Sequence, residues 1–556
     1  MLHGDMSSYR PLIEERLRNR GAPANDDDQG PFSRGSLLFP ELSEHPVPWL
    51  APGDGPPSAD YTRRAVQEIA AAMIGPADRP EAEGPIPAAF TYFGQFVFHD
   101  MVFSRIFGIP QSAGGGFHFR NAASQGLDLS GLYGRGPQVD GHLYDRPGDG
   151  GAACRFPVGL PCIKDHEGNR MPVCAGRDLP RLDMSGLFVD VQGRRQPYHP
   201  LVGDPRNDDN VVLSQLQATL MGIHNRLVGV QLRAGDCRAE EAYDRARTFL
   251  ISAYRKVVVH DYMSRVLDDR IWAYFFAGAP PADAHLGELS GLPLEFTFGA
   301  SRFAHSMVRQ FYTVNDSFAE QAGPLNEVLS RSSLRPDGNV PIEVNWVVDW
   351  KRFVEGDDPT IVQHARRISP FLASDLSSDL SPGLATDLAG NVLPVSFMDN
   401  WRCYELGLPS GQAVAETLAG RLPHGIAVEV LRDDAMLPTQ ACTTLFPYNA
   451  AKLKGALKAA RGFLSDTPLS YYILQEASVL GENGSHLGPV GSYIVGATVA
   501  ASLYSTADTN FPSGSKVPVA TGTLADLLAL EDPVANPDDK LKRMLDNSVQ
   551  ITGGRG

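Results

Sequence analysis

The feature that most constrains this chain is a series of apolar stripes at helical spacing, separated by stretches rich in glycine and proline. The segments Ala89 to Phe107, 208–233 and Arg245 to Leu267 place apolar side chains three or four positions apart, as the buried face of a helix does. Further helices are predicted over 301–311, 413–418, 450–463, 475–480 and 492–503. Alternating patterns, which indicate strands, are few. The sequence therefore predicts a mainly α fold with very little β structure.

Glycine and proline predict unusually long loops. The chain has 55 Gly and 43 Pro among 556 residues, more than an average globular protein contains. Many of them lie in the connection 108–205, and a loop of this length inside a compact domain is usually functional or ligand-bound. Residues 1–88 lack periodicity and are predicted to form an N-terminal arm wrapped on the main body, 89–530. The last segment, 531–556, is predicted to be a polar, loose tail.

The formal net charge of −16 argues against a nucleic acid or an anionic membrane as partner, because most of the surface would repel either one. The N-terminus lacks the apolar core of a Sec signal peptide, and no apolar run is long enough to span a membrane. A soluble protein without a membrane span is therefore expected. It would be either cytoplasmic or exported by a non-Sec route.

The six cysteines carry little information about compartment or metals. They are too few for a disulfide scaffold, and none has the CxxC spacing of a zinc or thioredoxin-like site. Cys154, Cys162 and Cys174 share one Gly/Pro-rich stretch, in which pairing and free thiols both stay open.

The first candidate for chemistry is the motif GQFVFHD in the helix that begins near Ala89. Gln95 and His99 are four positions apart, so their side chains share one helix face. A histidine beside an amide suits proton transfer at a small oxygen species, because imidazole can take a proton from one oxygen and return it to another. A single histidine on an apolar helix is more often a core residue, so the motif needs support from elsewhere.

The second candidate is a cation site. Asp100 ends the motif above, and the sequence SQGLDLS follows at Ser124. The oxygens of Ser124, Asp128 and Ser130, with the Gly126 carbonyl between them and Asp100 as a further ligand, suit a hard cation such as calcium. The alternative is an ordinary Asp/Ser turn.

Three further motifs contain arginine or histidine. Arg206 lies in GDPRNDDN, ahead of a helix that contains HNRL, and the capping acids Asp208 and Asp209 offer an ordinary explanation for this stretch. His305 lies in SRFAHSMV, and Arg402 lies in DNWR, ahead of LGLPSGQAVA. A core histidine and a surface arginine are the ordinary interpretations of these two.

In their order and spacing, the motifs resemble those of the animal-type haem peroxidases, the peroxidase–cyclooxygenase superfamily, in the form found in bacteria. The stretches GQFVFHD, LDLSGLYG, GDPRNDDN with HNRL, SRFAHSMV and LGLPSGQAVA carry the resemblance, which extends from about residue 88 to about residue 505. It implies one large helical haem-peroxidase domain, because a single pocket draws on positions from 95 to 402. It also implies an enzyme, expected as a monomer, that uses hydrogen peroxide and a small electron donor such as a halide, thiocyanate or a phenol.

On the distal side of the haem, the resemblance assigns three roles. His99 matches the histidine that moves the peroxide proton, and Gln95 matches the glutamine that orders water or halide. Arg206 matches the arginine that stabilises charge as the O–O bond breaks. A calcium ion would pin the loop to the distal helix, through ligands that match Asp100, Ser124, Gly126, Asp128 and Ser130.

On the proximal side, His305 matches the iron ligand, and Arg302 and Arg402 match residues that pair with the haem propionates. The family has an asparagine as partner of the proximal histidine, but counting back from LGLPSG puts Asp399 there. A carboxylate would give the imidazole more imidazolate character and so lower the haem potential. A shift of one residue would put Asn400 there instead, so both stay open.

The chain departs from the family pattern at the two positions where mammalian enzymes form ester links with haem. One ester position falls at Phe98, which has no carboxylate, and the other at Asp209, which is one methylene shorter than the family glutamate. Haem b is therefore expected without covalent links, or with one at most. Fewer ester links make chloride oxidation difficult and favour bromide, iodide, thiocyanate or phenols.

Two other functions stay open. The fatty-acid dioxygenases of the superfamily place a radical-forming tyrosine three residues before the proximal histidine, where this chain has Arg302. That difference favours a peroxidase over a dioxygenase. A non-catalytic binding or adhesion scaffold is the third hypothesis, and it has no chemical need for His99, Arg206 and His305 together.

Overall fold

The computed structural model describes residues 37–75, 82–102, 104–106, 119–121, 126–145, 153–164, 170–173, 176–184, 198–235, 237–278, 292–335, 338–377, 393–504 and 522–552. Two of the predicted residues, Ser124 and Cys174, lie outside these ranges. Cys154 and Cys162 are buried free thiols.

The mainly α fold is confirmed. The helices are α1 Ala59–Met73, α2 Ala89–Met101, α3 Ser130–Tyr133, α4 Val211–Ala234, α5 Ala239–Val257, α6 Ser264–Val266, α7 Asp269–Phe276, α8 Ala304–Met307, α9 Leu325–Ser330, α10 Val395–Glu405, α11 Gly411–Arg421, α12 Gln440–Leu445, α13 Pro447–Ala459, α14 Leu469–Leu480, α15 Pro489–Tyr504, α16 Leu524–Ala529 and α17 Asp538–Thr552. None of the described helices is both long and apolar enough to cross a membrane.

Strands in the described ranges form only two-stranded antiparallel ladders. The pairs are β1 Glu83–Pro87 with β10 His364–Arg366, β2 Ser104–Ile106 with β3 Phe119–Asn121, β4 Cys162–Lys164 with β5 Arg170–Pro172, β6 Arg181–Asp183 with β7 Tyr198–Pro200, and β8 Phe311–Tyr312 with β9 Gly323–Pro324. Within the described ranges these pairs join loop segments to each other and do not build a separate sheet layer.

The candidate site is held in place by two helices at the centre of the core. Helix α4 begins where the Asn210 side chain accepts a hydrogen bond from the Leu213 N–H (2.9 Å), which satisfies one of its unpaired amides. Helix α2 packs tightly against the π-helical turn Val258–Met263, since a Cβ on Gly94 would lie 2.0 Å from the Tyr262 hydroxyl. Apolar residues surround both helices, as is typical of helices buried on every side.

The helix predicted over 301–311 is wrong in extent. A π-helical turn over Glu295–Gly299 and a 3-10 turn over Ala300–Phe303 precede α8, which ends at Met307. The chain then leaves the helix because the Arg309 N–H donates to the Tyr312 hydroxyl (2.9 Å) and the Arg309 guanidinium binds Glu83 (2.6 Å). Apolar periodicity indicates here only that the side chains are buried, and the bonds of Arg309 determine where the helix ends.

The loose tail expected over 531–556 is wrong for Asp538–Thr552, which form helix α17. Leu541 and Leu545 are buried, and α17 packs on α4, with Arg233 of α4 bound to Asp538 (2.6 Å). The sequence signal was misleading because a few buried apolar side chains, Met544 among them, anchor a helix that is otherwise rich in polar residues.

The described part of the N-terminal segment contacts the elements around the candidate site. The backbone N–H groups of Leu38 and Phe39 each donate to the buried Glu295 carboxylate (3.1 Å). Further along, the Val47 N–H donates to the Leu408 carbonyl (2.8 Å), just after α10. These bonds attach the segment to the turn that precedes α8 and to the end of α10.

Candidate active site

His99 is the one residue of α2 whose surface is not fully buried. Its Nδ1 lies 2.9 Å from the Asn207 side-chain oxygen, and its carbonyl accepts a hydrogen bond from the Arg206 guanidinium (3.0 Å). Burial, and then the charge of Arg206, lower the pKa of His99 to about 4. At neutral pH the imidazole is therefore a neutral base, as acceptance of a proton requires.

Arg206 is fixed by the turn that precedes α4. The 3-10 turn Pro205–Asp208 begins at Asp204, whose carboxylate accepts from the Arg206 backbone N–H (2.9 Å) and binds its guanidinium (2.6 Å). Burial raises the pKa of Asp204, but Arg206 more than offsets this and the pKa ends below its usual range. The pair holds the Arg206 guanidinium beside His99, with the Asp204 carboxylate as its counter-charge.

Gln95 contacts the next two residues of the same loop. Its amide nitrogen donates to the Asp209 carboxylate (3.1 Å), and its oxygen accepts from the Asn210 side chain (3.3 Å). Burial raises the pKa of Asp209, and the positive charge of Arg335 lowers it. The structure thus places Asp209, a candidate haem contact, as an ionised partner of Gln95.

A buried ionic cluster that the sequence analysis missed supports this loop. Arg181 of β6 binds Asp178 (2.7 Å) and Asp208 (2.7 Å), and all three side chains are almost completely buried. The Ser333 N–H also donates to Asp208 (3.2 Å). Charged residues in a glycine- and proline-rich region look like surface residues in the sequence, and no local pattern joins positions 181 and 208.

His305 of α8 contacts Asp399 of α10. The distance from His305 Nδ1 to Asp399 Oδ2 is 2.6 Å, and both side chains are buried. Asn400 faces away: it donates to the Ser396 carbonyl (2.8 Å) and accepts from the Ser470 hydroxyl (3.0 Å). Of the two candidates left open, Asp399 is the residue that contacts the imidazole.

Arg302 and Arg402 come together although they are far apart in the sequence. Their guanidinium carbons lie 6.0 and 5.8 Å from the centre of the Phe298 ring, and Arg302 also donates to the Thr297 carbonyl (2.6 Å). Burial, and then the charge of Arg402, lower the pKa of Arg302 to about 10. A half-buried cation, Arg302, and a buried one, Arg402, this close to each other favour an anionic ligand.

Phe98 joins α2 to the segment that carries His305. Its ring packs edge to face against Phe296 (5.3 Å between centroids) and Phe303 (6.2 Å), and the Thr91 hydroxyl donates to the Met307 carbonyl (3.4 Å). The His99 and His305 motifs are therefore held next to each other by direct packing.

The loop predicted to bind calcium is attached to α2 through Asp100. The Asp100 carboxylate accepts from the N–H groups of Leu129 (3.0 Å) and Ser130 (2.7 Å), and from the Ser130 hydroxyl (3.0 Å). Burial, and then the neighbouring carboxylate of Asp128, raise the pKa of Asp100 to about 6. The structure brings Asp100, Asp128 and Ser130 together.

Arg255 of α5 contacts the other end of this loop. It donates to the carbonyls of Gly126 (2.8 Å) and Leu127 (3.0 Å). A carbonyl oxygen has two lone pairs, so Gly126 can accept this bond and still coordinate a cation. Among the described residues, no three His, Cys, Asp or Glu side chains converge as metal ligands, so a cation here would rely on hydroxyl and carbonyl oxygens as well.

Comparison with known proteins identifies the family. The sequence model of the animal haem peroxidase family matches residues 110–381. Residues 110–381 are an animal haem peroxidase domain. The matched range contains Arg206, Arg302 and His305, while His99 and Asp399 lie outside it and join the site through the fold. No curated protein matches the sequence.

One solved structure shows the same fold. Peroxidase A from Dictyostelium discoideum is similar with a TM-score of 0.56 and 16% sequence identity, over 91% of this chain and 95% of that chain. Fatty acid α-dioxygenase from Arabidopsis thaliana is similar with a TM-score of 0.49 and 13% identity, over 90% of this chain and 76% of that chain.

Haem is the cofactor of this family, and the residues present fit it. His305 is oriented through Nδ1 by Asp399, so Nε2 is the nitrogen that would hold the iron. The two propionates would offset the repulsion between Arg302 and Arg402. The donor set therefore suits a porphyrin between His99 and His305.

Proposed function

We propose that this protein is a haem peroxidase that reduces hydrogen peroxide and oxidises a small electron donor. The observation that carries the proposal is a partly exposed imidazole with a lowered pKa, His99, held beside the Arg206 guanidinium. Its helix packs against the segment that carries the buried His305–Asp399 pair. A bound haem supplies the redox-active iron at which peroxide is reduced.

The residues of the chain supply proton transfer and charge stabilisation. His99 Nε2 accepts a proton from one peroxide oxygen and returns it to the other, which leaves as water. Arg206 stabilises the negative charge that develops as the O–O bond breaks. Gln95, oriented by Asp209 and Asn210, orders water or the donor beside His99.

The proposal is tested by the reaction of the purified holoenzyme with peroxide in a stopped-flow spectrophotometer. His99→Ala is expected to lower the second-order rate constant by about 100- to 10,000-fold, the usual loss when a general acid–base group is removed. His424→Ala, a change at an exposed histidine, is the control and should react like the wild type. A His99→Ala rate equal to that of the wild type would contradict the proposal.

The donor class follows from the way the haem is held. We propose haem b without covalent links, since Phe98 cannot form an ester and Asp209 is already bound by Gln95. Bromide, iodide, thiocyanate or phenols are then better donors than chloride. Acid–organic extraction should release all the haem; haem that stays attached in the wild type but not in Asp209→Ala would instead indicate one ester.

A fatty-acid dioxygenase is the second candidate. Its family motif requires a tyrosine at the position of Arg302, and the Arg302 side chain is bound to the Thr297 carbonyl. Oxygen uptake with free fatty acids and no peroxide would favour this function. Protein that neither contains nor takes up haem would favour the non-catalytic scaffold.

We also propose that calcium binds at Asp100, the Gly126 carbonyl, Asp128 and Ser130, with Ser124 as a further ligand outside the described residues. Oxygen donors with two carboxylates are the set that calcium prefers. Calcium at about 100 times its Kd should stabilise the fold by about 2.7 kcal/mol, measured by denaturation with and without chelator. Asp128→Asn should abolish this difference. Asp140→Asn, a change at a carboxylate bound to the exposed Arg135, should keep it.

A further inference from the structure

A chain of buried amide groups runs from His99 to the backbone of α3. The Asn207 side-chain oxygen contacts His99 Nδ1 (2.9 Å), and the Asn207 nitrogen donates to the Gln217 oxygen (3.0 Å). The Gln217 nitrogen then donates to the Gly131 carbonyl (3.3 Å). Asn207 and Gln217 are 1% and 0% exposed, so water does not substitute for these partners.

The Gly131 carbonyl fixes the direction of every bond in the chain. A carbonyl only accepts, so the Gln217 group that faces it must be the amide nitrogen. The Gln217 oxygen then faces Asn207 and must accept, which turns the Asn207 nitrogen toward it. The Asn207 oxygen is left facing His99, and it too can only accept. His99 Nδ1 therefore carries the proton, and Nε2 is the ring atom with the lone pair.

We propose that Asn207 and Gln217 are positioning residues that hold His99 in the Nδ1–H tautomer, with Nε2 as the proton acceptor. The tautomer itself follows from the hydrogen bonds alone. Its consequence for catalysis rests on the proposed peroxidase function, because only the Nε2 lone pair would take the peroxide proton.

Close packing prevents the amides from rotating out of this arrangement. A Cβ on Gly131 would lie 2.9 Å from the Asn207 nitrogen, so only glycine permits this approach. The Gly131 carbonyl also accepts from the Asp204 N–H (3.2 Å), and Asp204 in turn binds Arg206. The backbone of His99 is held separately by Arg206 (3.0 Å). Asp204, Arg206 and the more distant Asp209 are the charges that act on the imidazole.

The direct test is the tautomer of His99 by NMR. The full chain is labelled with 15N-histidine and measured as the diamagnetic ferrous–CO holoprotein. Long-range 1H–15N spectra then distinguish a protonated Nδ1 from a protonated Nε2. The His99 signals are assigned by their loss in His99→Gln. The wild type should show the Nδ1–H tautomer, and Asn207→Leu should show a mixture or the Nε2–H form. An Nε2–H wild type, or no change in Asn207→Leu, would overturn the inference.

The kinetic test compares two nearly isosteric changes at one position. Asn207→Leu removes the acceptor and should slow the peroxide step by about 10- to 100-fold, the usual effect of losing a group that orients a functional histidine. Asn207→Asp keeps an acceptor for Nδ1 and should restore most of the rate. Donor oxidation, followed after the peroxide step is complete, should be the same in all three proteins. Equal peroxide rates in Asn207→Leu and the wild type would contradict the positioning role.

Two further variants separate this role from general damage to the fold. Asn225 lies on the same helix as Gln217 but bonds to the backbone of Phe156, so Asn225→Leu should leave the peroxide rate unchanged. Gln217→Leu frees the Asn207 amide to turn and should mix the tautomers; it decides the question if Asn207→Leu does not fold. A wild type that shows the Nδ1–H tautomer but no reaction with peroxide would contradict the proposed function and leave the tautomer inference standing.

Discussion

At the residue scale, the contact between His305 and Asp399 leads to a prediction about the haem potential. A carboxylate 2.6 Å from Nδ1 draws the ring proton toward itself, which would make the imidazole a stronger ligand, one that favours ferric iron, in the proposed haem site. Asp399→Asn keeps the size of the side chain but removes the charge. The midpoint potential, measured by spectroelectrochemistry, should rise by about 60 mV for each tenfold loss of preference for the ferric form.

The control for this change is Asp268→Asn, at a carboxylate that caps α7 by accepting from the Arg270 N–H (2.9 Å). It should leave the potential unchanged. An Asp399→Asn potential equal to or below that of the wild type would show that the carboxylate does not tune the imidazole.

Single residues were predictable from the sequence where their chemistry is rare. His99, Arg206 and His305 stand out because imidazole or guanidinium groups occur in distinctive apolar or glycine-rich motifs. Asn207 and Gln217 gave no signal, since neutral amides are common and their roles depend on partners 108 and 86 residues away in the sequence.

At the element scale, the ionic cluster of Arg181 with Asp178 and Asp208 ties β6 to the turn that holds Arg206. Arg181→Met would leave two buried carboxylates without their cation, so the free energy of unfolding should fall by about 3–5 kcal/mol. Denaturant titration measures this loss. The control is Arg461→Met, which removes an exposed ion pair with Asp54 (3.1 Å). Here the free energy of unfolding should change by no more than about 1 kcal/mol. Equal losses in the two variants would mean that the buried cluster has no special role.

Helices were predictable where apolar residues recur over several turns, as in α2 and α4. The backbone around His305 was not, because the π-helical turn, the 3-10 turn and the short α8 share one apolar pattern. A bond from Arg309 to Glu83 of β1, 226 residues away, and a local bond to Tyr312 end that helix, and neither bond leaves a periodic signal.

At the scale of the whole molecule, Glu295 connects the N-terminal segment to the turn that leads to His305. Glu295→Ala would leave the buried N–H groups of Leu38 and Phe39 without acceptors, at a cost of about 1–3 kcal/mol each. Glu295→Gln keeps one acceptor and should lose about half as much. Denaturation measures the loss, and faster proteolytic cleavage near residue 38 should accompany it. Wild-type stability and cleavage in Glu295→Ala would show that the contact is not needed.

Local periodicity and rare residues in short motifs were enough to predict the helical class, the family resemblance and the candidate reactive side chains. Contacts between distant segments were needed to show that Asp399 rather than Asn400 contacts His305 and that Arg302 and Arg402 share one ring. The same holds for the amide chain that leads from Gly131 to His99. The reason is physical: hydrogen-bond direction and charge depend on which groups meet in space. A one-residue shift on a helix turns a side chain by about 100°, which is enough to exchange one partner for another.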